Sequence, residues 1–133
     1  MSRELDRLRA GLDALWERGD WEASFGVLEP DFEWTPPPSL PDAGTGPWRG
    51  RREFERMFRD WLETWEEHQI SYELTDLPDG RVLVETTVSG RGRGSGAEVT
   101  MSTAQVWEFE DGRPVRMRWC GSRQEALDSG RAQ

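Results

Sequence analysis

The chain has 133 residues, 35% of them apolar and eight of them Trp, which is enough for one core without disulfide or metal staples. Its 26 acidic residues against 17 basic ones give a net charge of −9, so the surface repels phosphate backbones and nucleic acid is a poor partner. All the basic residues are Arg, with one Cys and one His; that excludes lysine Schiff bases, a phosphate-loop lysine, an internal disulfide, and any metal centre or acid–base pair needing two histidines.

Leu5, Leu8, Leu12, Leu15 and Trp16 recur at three- and four-residue spacing among charged residues. They predict an amphipathic helix over residues 3 to 18, capped by Ser2 and stopped by Gly19. Asp20 caps a second, short helix with Trp21, Phe25 and Leu28 inward, and Pro30 ends it. Asp31-Phe32-Glu33-Trp34 reads as a short strand. Five of the eight prolines fall between 36 and 47, and residues 35 to 50 read as a lid or rim. The third helix carries Phe54, Met57, Phe58, Trp61, Leu62 and Trp65 as its buried stripe.

From residue 69 the period switches to two. Ile70, Tyr72 and Leu74 alternate with polar residues up to a turn at Asp79-Gly80. Residues 81 to 89 place Val82, Val84, Thr86 and Val88 on one face. Residues 98 to 109 do the same with Val99, Met101, Thr103, Gln105, Trp107 and Phe109. The glycine-rich stretch 90 to 96 between them reads as a flexible hairpin connection, since no helix follows it to make a phosphate cradle. Asp111-Gly112 turns the chain into a strand over 114 to 120, and a short helix follows over 122 to 127. The order predicts an α+β fold, three N-terminal helices packed on one face of a strongly curved, mostly antiparallel sheet, as one domain over residues 1 to 133.

Trp16, Trp34, Phe58, Trp61, Trp65, Trp107 and Trp119 all fall on faces that converge. A curved sheet wrapped by helices often leaves an apolar cavity, so these residues are the candidate walls of a small-molecule pocket. The inward polar groups are few: Thr86, Thr103 and Gln105 on the sheet, with Thr35 at the rim and Tyr72 as a further candidate. Asp13 and Glu33 are the candidate general bases, each effective only if burial raises its proton affinity. Helical and strand parity nevertheless point Asp13 to solvent and Glu33 away from the face of Trp34. His68 reads as a surface or capping residue at the end of the third helix, and Cys120 faces outward or into a subunit interface. Nothing in the sequence requires a metal or a cofactor. No segment approaches the roughly 18 apolar residues of a membrane span, and the start MSRELDRLRA is charged. The expected location is cytoplasmic, with no membrane partner.

Three segments resemble the SnoaL-like branch of the nuclear transport factor 2-like superfamily: Leu15 to Trp34, Gly46 to Trp65, and Val106 to Trp119. The Gly-Asp turn after the first helix, the Pro-Asp before a strand ending in Glu-Trp, and the Arg-Gly-Arg run into the third helix carry the likeness. The resemblance implies a cone of three helices on a strongly bent sheet, a central pocket, and a homodimer formed through the outer sheet face. The family includes polyketide cyclases, steroid isomerases, epoxide hydrolases and dehydratases as well as carriers and adaptors, so fold alone does not select an activity. Ketosteroid isomerase uses an Asp base with a Tyr and a protonated Asp as oxyanion hole. By register the tyrosine falls on Leu12, the base near residues 34 to 36, and the second aspartate on Gln105. The Arg-x-Asp pair of the epoxide hydrolases falls on Thr103-Ala104-Gln105, and the acidic residue of the cyclases falls near Trp119-Cys120.

A glutamine donates a hydrogen bond to a carbonyl but does not abstract protons. The sequence therefore favours a homodimer that binds a small apolar or polycyclic molecule, with Gln105 and Thr103 as polar anchors. Two alternatives stand beside it. One is a cofactor-independent cyclase, isomerase or hydratase using Glu33 or Asp13; the other is a protein–protein adaptor with a filled core.

Overall fold

The computed structural model describes residues 2–36 and 46–129. Helix α1 (Arg3–Arg18) begins where the Ser2 hydroxyl accepts from the Leu5 amide, and it ends at Gly19, whose φ of 64° is the left-handed stop. Asp20 caps α2 (Trp21–Phe25) by accepting from the Ala23 amide at 3.0 Å. Strand β1 (Glu33–Thr35) and strand β2 (Trp48–Arg49) pair antiparallel, Trp34 opposite Trp48. The segment read as a lid thus contributes its last residues to the sheet edge, while residues 37–45 lie outside the described ones.

Helix α3 (Arg51–Glu63) is followed by β3 (Trp65–Asp76), β4 (Val82–Gly92), β5 (Glu98–Glu110), β6 (Arg113–Cys120) and α4 (Arg123–Ser129). Among the described residues six strands run in the order β2-β1-β6-β5-β4-β3, with only β1 and β6 parallel. This is the α+β fold expected from the element order. The aromatic stripe of α3 stops at Trp61, because the Thr64 hydroxyl donates to the Trp61 carbonyl at 2.6 Å and closes the helix. Trp65, read as the last residue of that stripe, is instead the first residue of β3.

The hairpin turns follow their sequences. Asp111 (φ 52°) and Gly112 (φ 78°) are both left-handed, as a two-residue turn between Glu110 and Arg113 demands. The glycine-rich connection is pinned to the end of α3. Arg93 donates from its backbone to the Thr64 carbonyl at 2.8 Å, and from its guanidinium to the Glu63 and Trp65 carbonyls at 2.9 and 3.3 Å. Arg93 thereby satisfies the Glu63 and Thr64 carbonyls that the helix end leaves unpaired.

Two apolar layers result. The larger lies between α1 to α3 and the inner sheet face, where Phe32, Val82, Val84 and Met117 are fully buried with the aromatic side chains. The smaller lies on the outer face, where Ala126 of α4 covers Leu83, Ala104, Val106 and Cys120. Cys120 does face outward, but the chain's own terminal helix covers it. Burial pushes its thiol from an ordinary 9.0 up to about 11, with Glu125 adding to the effect and Arg118 opposing it. Between those pH values the folded state keeps a proton that the unfolded chain releases, so stability falls as pH rises through the window. Urea unfolding across that range is expected to show the decline, with a shallower slope in Cys120→Ala; identical slopes would contradict this assignment.

Candidate functional site

The inner layer does not close completely. A cavity of about 50 Å³ remains between the helices and the sheet. From the sheet it is lined by Ile70 and Tyr72 of β3, Thr86 of β4, Gln105 and Trp107 of β5, and Trp119 of β6. From above it is lined by Leu8, Leu12, Leu15 and Trp16 of α1, then Phe54, Phe58 and Trp61 of α3. Phe58 is the hub of the wall, stacked on Trp119 at 5.8 Å and edge-on to Trp61 at 5.7 Å.

Of the seven aromatic walls and three sheet polar groups that the sequence predicts, Trp16, Phe58, Trp61, Thr86, Gln105, Trp107 and Trp119 share this cavity. Trp34 and Trp65 do not line it. Trp34 packs on Phe54 at 5.5 Å and Trp65 on Trp61 at 5.9 Å, both one layer back in the core. Thr103 is also off the wall, and its hydroxyl accepts from the Trp119 indole at 2.7 Å, so it orients a ring. The aliphatic roof of α1 belongs to the cavity too. Its signal was present in the Leu8, Leu12 and Leu15 spacing, which reads equally as ordinary core.

Gln105 is only 5% exposed and Thr86 8%, the two buried polar side chains among the described residues. The Trp107 indole N–H donates to Gln105 Oε1 at 2.9 Å. An indole nitrogen can only donate, so it fixes the amide with its oxygen toward Trp107 and its NH2 as the end left for another partner. Tyr72 lies directly across from Thr86 in the register of β3 and β4. Its hydroxyl donates to Asp13 Oδ1 of α1. Burial first, and then this bond, hold the Tyr72 phenol above the ordinary tyrosine range.

Asp13 is half-buried and engaged by Tyr72, a correction to its reading as a solvent-facing residue. Helical spacing put it outside the apolar stripe, but β3 curls up against that flank of α1. Glu33 stands where strand parity put it, away from the cavity, with its carboxylate on Arg116 at 2.8 Å and Arg49 at 3.6 Å. Neither carboxylate lines the cavity. His68 is exposed on β3, not at a helix end, and its ring meets Trp16 edge-on at 5.8 Å. Val99, also read as inward, is 39% exposed beyond the reach of the helices.

A family model described as the SnoaL-like domain matches residues 8–117. The chain belongs to the SnoaL-like family. Among solved structures, this SnoaL-like chain is similar to an NTF2-like protein of unknown function from Burkholderia pseudomallei. The two share 25% identity over 96% of this chain and 97% of the other, with a TM-score of 0.75. It is also similar in fold to TerC, co-crystallised with polyporic acid, at 20% identity, 96% and 99% coverage and a TM-score of 0.73. An LEH-like epoxide hydrolase from M. tuberculosis shares 20% identity over 95% and 87% of the two chains, with a TM-score of 0.63. No curated protein matches the sequence. The SnoaL-like chain has no helix among its described residues long and apolar enough to cross a membrane.

Proposed function

We propose that this SnoaL-like protein, as one domain, binds a small apolar or polycyclic molecule in the aromatic cavity and holds its carbonyl group on the Gln105 amide. The observation that carries the reading is the 2.9 Å bond from Trp107, which leaves the Gln105 NH2 as a fixed donor on a mostly aromatic and aliphatic wall. The amide is oriented before the ligand arrives, which spares the ligand that ordering cost. Turnover has no support from the carboxylates, because Glu33 is paired with arginines elsewhere and Asp13 is engaged by Tyr72.

The cavity of about 50 Å³ is smaller than the roughly 150 Å³ that holds a benzene ring in an engineered protein core. Binding a polycycle therefore opens the seam between α1 and β3, where Leu12, Trp16, Ile70 and Tyr72 are only half-buried. We further propose a cytoplasmic homodimer that uses the outer sheet face left free by α4.

Tryptophan fluorescence titration with 2-acetonaphthone, an aromatic ketone, tests the reading, with naphthalene as the control lacking a carbonyl. The ketone is expected to bind and to lose about tenfold in affinity in Gln105→Leu, the worth of one buried hydrogen bond. Equal affinity in both proteins sinks the role of Gln105. No binding of either compound sinks the small-molecule reading and shifts weight to an adaptor. Native mass spectrometry of the same samples reads the subunit count.

A further inference from the structure

The proposed carbonyl anchor is one of two polar points on the cavity wall whose hydrogen-bonding sense is dictated by a neighbour. At Gln105 the indole of Trp107 takes the amide oxygen and leaves a donor. At Tyr72 the situation is reversed. The single phenolic hydrogen is spent on Asp13, so the oxygen offers lone pairs only, and the carboxylate beside it is likewise an acceptor. Thr86, across the strand from Tyr72, both donates and accepts and does not alter the polarity. The remaining walls are aromatic and aliphatic apart from Ser24.

Resting on the binding reading above, we infer that the cavity is polarised: its ligand carries an acceptor at the Gln105 end and a hydroxyl donor at the Tyr72–Asp13 end, as a hydroxylated aromatic ketone does. Tyr72 pairs with Thr86 and Thr86 with Thr103, two residues from Gln105 on the same face. Strand spacing and rise then put the Tyr72 and Gln105 Cα atoms roughly 12 Å apart. Both side chains line the cavity from there, so its two polar points stand apart on the wall. Specificity comes from mismatch: an ether in place of the hydroxyl sets an oxygen lone pair against those of Tyr72, with no hydrogen between them.

The test uses three ketones on one scaffold, 2-acetonaphthone, 6-hydroxy-2-acetonaphthone and 6-methoxy-2-acetonaphthone, titrated at neutral pH against the full chain. The hydroxy compound is expected to bind at least about tenfold more tightly than the methoxy compound. Within each variant the ratio of those two affinities is the readout, so a general loosening of the fold cancels. Tyr72→Phe is expected to bring the ratio to parity. Asp13→Asn is expected to lower it, because an amide can donate to the phenol and free its hydrogen. Equal affinity for the hydroxy and methoxy ketones in the unaltered protein overturns the polarised site while leaving the carbonyl anchor intact. A ratio preserved in Tyr72→Phe overturns the assignment to Tyr72. If 2-acetonaphthone also fails to bind, the binding reading falls together with this one.

Discussion

Replacing Phe32 by alanine is expected to lower the unfolding free energy by about 3–5 kcal/mol, the range for truncating a fully buried aromatic side chain. Phe32 has no exposed surface, and its ring lies 5.1 Å from Phe54 and 5.5 Å from Trp107. Its backbone is equally committed, donating to Glu29 at 2.9 Å and accepting from Gly50 at 2.8 Å. The chain therefore cannot shift to refill the space. The loss extends to the site, because Phe32 backs Trp107 and Trp107 orients Gln105. Urea unfolding monitored by tryptophan fluorescence gives the number. A cost below about 1 kcal/mol, typical of a surface change, would mean that this layer repacks freely.

Gly90→Ala is expected to cost about 1–3 kcal/mol by overpacking, and to detach the start of β3. A Cβ at Gly90 would stand 2.1 Å from the Glu67 carbonyl oxygen and 2.8 Å from the His68 Cα. Both obstacles are backbone, so no rotamer relieves them. The position lies beside a register shift between Trp65 and Glu67, where β3 swings from the end of α3 to its pairing with β4. The cost is local, and hydrogen exchange should show it as faster amides over residues 65 to 69. Gly92→Ala is the control, since its Cβ meets the Ser95 hydroxyl at 3.0 Å and otherwise nothing closer than 4.0 Å. Equal stability of the two variants would argue against a close crossing at Gly90.

Much of this architecture was legible residue by residue. Ser2, Gly19 and Asp20 announce three helix ends because capping is settled within a few residues. Val82, Val84, Thr86 and Val88 announce an inward face because strand parity is strictly two. Trp65 shows where local reading fails. It stands four residues after Trp61, a helical spacing, yet the Thr64 hydroxyl and the three bonds from Arg93 end the helix before it. The strand β2 was hidden for a related reason: two residues, Trp48 and Arg49, have no periodicity, and only the partner β1 makes them a strand.

The candidate site divides in the same way. The sequence alone determined that Gln105 and Trp107 share a strand face, that the wall is aromatic, and that no lysine or second histidine is present for the corresponding chemistries. These follow from composition and from spacings of a few residues, which the chain cannot alter by folding. Tertiary structure alone decided that Asp13 meets Tyr72 across 59 positions, that Cys120 lies under α4, and that Trp34 and Trp65 stand behind the wall. Those outcomes depend on how the sheet curves against the helices. Curvature sums small twists over many residues, so no local spacing encodes which long-range neighbours it brings into contact.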